Sequence, residues 1–190
     1  SNTEITFGRL ICMQAFEQGY GIPCHSYGTG TDSMTLDGQN MIERTSLIHM
    51  MAMSDASVLG GAGQLETAKT ISPIQLIIDN EIFGIARRLR HGLEINDETL
   101  DFEELLEGDD EDGYLMSEHT LDHFHEMHRP ELFYKGYLRG ENDEEKTLLD
   151  RALASYQELI QKEQIPTLDP KTAAKVHEIV ERAARELAND

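Results

Sequence analysis

Apolar positions along the first half of the chain alternate between long helical stripes and short strand-like runs. Over residues 4–18, Phe7, Leu10, Ile11 and Ala15 share one helical face, widened by Cys12, Met13 and Phe16, which predicts a largely buried helix. Gly19, Gly21 and Pro23 break that pattern, and residues 22–27 are short, apolar-biased and suited to a strand. Met41, Ile42, Leu47, Ile48 and Met51 then predict a helix over 36–53, followed by a second short strand over 56–59. Each strand runs into a glycine turn. The first is Tyr27-Gly28-Thr29-Gly30-Thr31-Asp32-Ser33-Met34, and the second is Gly60-Gly61-Ala62-Gly63.

The next helix carries the clearest punctuation. Ser72 stands at the N-cap with Gln75 three residues on, Pro73 occupies the first helical position, and Ile74, Ile77, Ile78, Ile82, Ile85 and Leu89 recur at helical spacing. Arg87, Arg88 and Arg90 suit the negative end of the helix dipole, as does His91, and Gly92 supplies a left-handed cap. From Glu94 to Asp112 there are eleven acidic residues and no basic one, which predicts a solvated face or exposed loop. Two amphipathic helices are expected near 143–163, with Leu149, Ala152, Tyr156 and Leu159, and near 170–187, with Val176, Val180, Ala183 and Leu187 behind an Asp169 cap. The chain thus divides at residue 92 into βα units (1–92) and an acidic, helix-rich remainder (93–190), forming one domain overall. Two parallel strands need neighbours on both edges, so the pattern looks like part of something larger.

Composition narrows the function classes. A 39% hydrophobic content is enough for a core. A net charge of −20 argues against nucleic acid and against anionic membrane surfaces, both of which call for clustered Lys and Arg. No apolar run approaches the ~20 residues that cross a bilayer, and Ser1-Asn2-Thr3-Glu4 lacks a signal-peptide pattern, so a cytoplasmic location is the default expectation. Cys12 and Cys24 form no C-x-x-C pair and are expected to be buried, reduced thiols.

The two glycine turns fall at the carboxyl ends of the strands, where open α/β sheets and barrels bind ligands, and they are expected to line one site. Asp32 and Asp37 read either as helix caps or as pocket groups. Asp79-Asn80-Glu81 reads first as a solvated or hydrogen-bonding helix face. His119, His123, His125 and His128 raise a metal reading, since the first two could share a helical face; packing is the simpler account, and no bound metal is expected.

In this order and spacing the residues resemble the carboxyl-terminal part of the trimethylamine:corrinoid methyltransferase family. The resemblance runs over residues 4–188. It rests on Gly28-Thr29-Gly30-Thr31-Asp32-Ser33 with Asp37 and Gln39, on Gly61-Ala62-Gly63, and on Gln75-Leu76-Ile77-Ile78-Asp79-Asn80-Glu81-Ile82. Gly92-Leu93-Glu94-Ile95 with Asp97-Glu98, His119-Thr120-Leu121 and Arg129-Pro130-Glu131-Leu132-Phe133 extend it. It implies an α/β fold, the carboxyl-terminal part of a TIM-type (β/α)8 barrel with a helix-rich extension. It also implies methyl transfer from a small methylated amine to the cobalt(I) corrinoid of a partner protein. The site implied has Gly30, Thr31 and Asp32 at its catalytic centre. Tyr27, Gly28, Ser33, Asp37, Gln39, Gly61, Gly63 and Glu66 face substrate or corrinoid. Some family members carry pyrrolysine at the position matching Gly30; its absence here points to a quaternary amine such as a betaine or carnitine-like compound, held by an aromatic face of Tyr27, of Tyr114 or of segments beyond this sequence. The rival expectations are a truncated, non-catalytic or partner-binding chain and a small His-rich metal-binding helical protein. The chain alone is expected to form a symmetric dimer.

Overall fold

The computed structural model describes residues 2–54, 56–107, 113–133, 146–162 and 168–188. They form α1 (Asn2–Gln14), ending in a π-helical turn at Ala15–Gly19, then β1 (His25–Tyr27), α2 (Gly38–Ala52) and β2 (Val58–Gly60). A hairpin of β3 (Gln64–Leu65) and β4 (Thr70–Ile71) leads into α3 (Pro73–His91). The short helices α4 (Asp97–Leu100), α5 (Phe102–Glu107) and α6 (Glu118–His123) precede α7 (Leu148–Gln161) and α8 (Pro170–Leu187).

Strands β1 and β2 pair in parallel, with His25 opposite Val58, Ser26 opposite Leu59 and Tyr27 opposite Gly60. Helix α2 is the crossover that a parallel pair requires. It starts where Asp37 accepts the Asn40 amide, and α3 starts where Ser72 accepts the Gln75 amide and ends at Gly92 with φ 72°. The core lies between α2 and α3: Ile48 and Ala52 pack with Ile78, Ile82 and Ala86, joined by Leu132 and Ala152. Burying each of the larger side chains contributes about 1.5–3 kcal/mol.

Two expectations are corrected. The first helix is not largely buried: Phe7 is 53% and Ile11 65% exposed, because its wide apolar stripe exceeds what its packing on α2 covers. Neither thiol is buried: Cys12 lies on the uncovered face of α1, and Cys24 is half-buried. The acidic stretch is a solvated face, one of the two forms expected, with no buried residue among those described. It winds into α4 and α5, the former with a reciprocal Asn96–Thr99 capping box, and its residues 108–112 lie outside the described ones. The β3–β4 hairpin, with Gln64 opposite Ile71, has no counterpart in the predicted elements. The expected start of the helix over 143–163 also lies outside the described residues, as do residues 163–167.

The described residues cluster into two units, 1–156 and 157–190. In the second, Asp169 caps α8 by accepting the Lys171 and Thr172 amides, while Val176, Ile179, Val180 and Leu187 remain exposed. Helix-rich with few short strands, the chain has an architecture compatible with a piece of a larger domain. Among the described residues no helix is long and apolar enough to cross a membrane.

Candidate active site

The parallel pairing of β1 and β2 continues into the glycine turns, with the Gly28 amide donating to the Gly60 carbonyl at 2.8 Å. Gly61 has φ 94°, and a Cβ there would stand 2.7 Å from the Thr29 carbonyl oxygen and 2.9 Å from the Tyr27 ring, so only glycine lets the two turns close on each other. Gly30 is different. A Cβ there would meet only Leu47, at an ordinary 3.7 Å, so the fold leaves room for a side chain at this position. Between these turns the Thr29 hydroxyl is buried without a hydrogen-bond partner among the described residues.

Beyond Gly30 the loop is held from two sides. Glu43 of α2 accepts the Thr31 hydroxyl at 2.7 Å and the Asp32 amide at 2.9 Å, both on Oε2, and accepts Gln39 on Oε1 at 3.0 Å. From the hairpin, the Thr67 amide donates to the Thr31 carbonyl, the Glu66 amide to the Ser33 carbonyl, and the Thr67 hydroxyl to Asp32. Glu66, Thr67 and Ala68 all take left-handed φ values of 50°, 55° and 68°, a costly run for residues with side chains. Asp37 accepts the Asn40 amide and the Ser33 and Thr35 hydroxyls. The Asn40 amide foremost, then the Thr35 and Ser33 hydroxyls, hold its carboxyl below the usual aspartate range. Asp37 is therefore the α2 cap and a brace for Ser33, whereas Asp32 caps no helix and leaves its carboxylate exposed on the rim.

Under the rim runs a closed polar network. Arg44 and Asp79 form a 2.6 Å ion pair with both side chains wholly buried. Asp79 also accepts the Gly63 amide at 2.7 Å and Gln75 at 2.9 Å. Arg44 donates to Asn40 and to the Gln64 carbonyl, and Asn40 donates to Gln75 and the Thr35 carbonyl. Burial pushes the Asp79 carboxyl up and the Arg44 guanidinium down, and their mutual attraction opposes both shifts. Asp79 thus belongs to a hydrogen-bonding face and not to a solvated one.

Of the expected site residues, Thr31, Asp32, Ser33, Asp37, Gln39, Gly63 and Glu66 enter this connected framework, and Gly28 and Gly61 close the turns above it. Tyr27 sits at the rim, half exposed, with the Arg9 guanidinium 6.0 Å from its ring centre. Tyr114 instead donates to the Leu105 carbonyl in the acidic segment. His119 and His123 stand one turn apart on α6, beside Asp101 and Glu126 respectively. Among the described residues no group of three or more His, Cys, Asp or Glu is placed to hold a metal ion. Glu43 and Arg44 were not anticipated. The signal for Arg44 was a cation on the Met41–Ile48–Met51 stripe, which demands a buried partner. Chemically, the rim presents the exposed Asp32 carboxylate and the half-exposed Tyr27 ring, groups that suit a cationic ligand.

The sequence model described as trimethylamine methyltransferase (MTTB) matches residues 7–188. The chain is 36% identical over 88 residues to trimethylamine methyltransferase MttB of Methanosarcina barkeri (strain Fusaro), covering 46% of this chain and 18% of the relative. MttB of Desulfitobacterium hafniense (strain DCB-2) is 28% identical over 106 residues, 56% of this chain and 21% of that protein. Glycine betaine methyltransferase of Desulfitobacterium hafniense (strain Y51) is 26% identical over 175 residues, 90% of this chain and 36% of the relative. The chain therefore spans between 18% and 36% of the length of these proteins. Because the family match runs unbroken through both glycine turns, the network beneath them and the helices that follow, the chain belongs to the trimethylamine methyltransferase family.

Proposed function

We propose that this chain is the carboxyl-terminal part of a barrel enzyme that moves a methyl group from a quaternary amine to the cobalt(I) corrinoid of a partner protein. The family match over residues 7–188, with glycine at position 30 of the rim, carries the reading. Its support for a betaine-like donor is that glycine betaine methyltransferase is matched over 90% of this chain.

A docked corrinoid fits the rim as a neighbour and not as a ligated group. Tyr27 and Asp32 stand exposed at the rim, while Gly28, Thr29, Thr31, Ser33 and Gly63 are buried in the closed turns beneath them. When docked, the corrinoid supplies cobalt(I) as the methyl acceptor and the electron pair of the new bond. The residues of this chain bind and align. Tyr27 offers an aromatic face and Asp32 a carboxylate to a cationic nitrogen. The glycine turns allow close approach along the carbon–nitrogen axis, where alignment governs the rate. As that bond breaks its electron pair returns to nitrogen, so a quaternary donor departs as a neutral tertiary amine and needs no proton. A protonated tertiary donor likewise departs neutral, but it must first be held in its protonated form.

The test follows the cobalt absorbance of a reduced corrinoid protein mixed with the longer polypeptide that contains these residues. Glycine betaine, carnitine and trimethylamine serve as donors. Turnover on a quaternary donor with little on trimethylamine is expected, and comparable rates on trimethylamine would sink the substrate assignment. The isolated 190-residue chain is expected to be inactive, because it spans only 18% to 36% of the length of the related enzymes.

A further inference from the structure

Glu43 and Arg44 are neighbours on α2, yet they reach different turns. Glu43 accepts the Thr31 hydroxyl and the Asp32 amide of the first turn. Arg44 donates to the Gln64 carbonyl, and through Asp79 it is tied to the Gly63 amide of the second. One turn of one helix is therefore the common mount for both rims. Arg44 is locked by burial, whereas Glu43 is partly exposed and joins α2 to the rim through these polar contacts.

We propose that Glu43 is a positioning residue for methyl transfer, its carboxylate fixing the Thr31–Asp32 turn relative to the Gly63–Gln64 turn. This role rests on the methyl-transfer reading of the site. A proton-transfer role is the alternative, and the contacts disfavour it, because both carboxylate oxygens already receive donors. Burial on its own would raise the Glu43 carboxyl, but hydrogen bonds from Thr31, Asp32 and Gln39 outweigh it and hold the group below the usual glutamate range. A group so held accepts hydrogen bonds at neutral pH and is a poor proton store.

Glu43→Ala and Glu43→Gln separate these roles. The glutamine amide oxygen can accept from Thr31 and Asp32 while its NH2 donates to a turned Gln39, so the geometry survives without the charge. Three readouts are taken in the full-length enzyme: amide hydrogen exchange at Asp32 and Ser33, thermal unfolding, and kcat and KM for methyl transfer. Glu43→Ala is expected to speed exchange at Asp32, leave cooperative unfolding in place, and lower kcat on the order of 100-fold with KM little changed, the effect of misplaced groups on an aligned reaction. Glu43→Gln is expected to recover exchange protection and most of kcat. Unchanged exchange or unchanged kcat in Glu43→Ala overturns the proposal, as does a Glu43→Gln protein with an ordered turn but the kcat of Glu43→Ala. A wild-type enzyme that transfers no methyl group sinks the reading of the site and this role together. An active wild type with an unaffected Glu43→Ala sinks this role alone.

Discussion

Asp37 accepts one backbone amide and two hydroxyls, so its charge is part of the folded state. Its folded pKa lies below the unfolded value of about 3.9. The stability it contributes is then fully present above that unfolded value and is lost as pH falls through the folded one. Urea midpoints measured downward from about pH 6 should fall steeply below about pH 4 in the wild type and less steeply in Asp37→Ala. An equal slope in both would show that Asp37 is not linked to folding. Asp79 behaves differently because it is wholly buried with Arg44. Asp79→Ala strands a guanidinium without its counter-ion and should cost about 3–5 kcal/mol in urea unfolding. A loss under about 1 kcal/mol would mean that the site relaxes to admit water.

The helices of the βα units were legible in the sequence to within a few residues, because their ends are written in local chemistry. Asp37, Ser72 and Gly92 cap where capping residues should, and the Ile78–Ile82 stripe faces the core. Burial of α1 was misread because periodicity reports which face is apolar and not whether anything covers it. The rim was half legible. Its glycines announce the turns, but the strap that holds them, Glu66–Ala68, contains no glycine and lies in a hairpin of two-residue strands. Glu43 was invisible for a further reason, since a glutamate on a helix is ordinarily a solvated surface residue. The strap makes a prediction of its own. Ala68 at φ 68° is strained as an L residue, so Ala68→Gly should raise stability by up to about 1 kcal/mol, less the entropy that glycine adds to the unfolded chain. Urea denaturation decides the sign, and a destabilised variant would show that the strain relieved is smaller than the entropy glycine adds.

At the scale of the whole molecule, apolar surface without cover is the dominant fact. Ile11 on α1 is 65% exposed, and α8 leaves Ile179 55% and Val180 59% exposed. Such faces seek partners, while a charge of −20 opposes close approach of like chains. The isolated chain is therefore expected to associate, and to do so more strongly as salt screens the repulsion. Light scattering on a gel-filtration column measures this directly, and a monomer at every salt concentration would show that these faces are tolerated bare. The β1–α2–β2 connection also bears on the order of folding. Residues 25–27 meet 58–60, so a loop of some thirty residues must close before the first strand hydrogen bond forms, and that closure cost comes ahead of any gain. Helices α2 and α3 meet across a comparable separation, Ile48 to Ile78, but bury much of the apolar core as they do, so the transition state should be polarised toward them, with the sheet completed on the downhill side. Ile78→Val should slow folding and Val58→Ala should chiefly speed unfolding. The ligand rim, built on the last contacts to form, would then be the first part of the molecule to open.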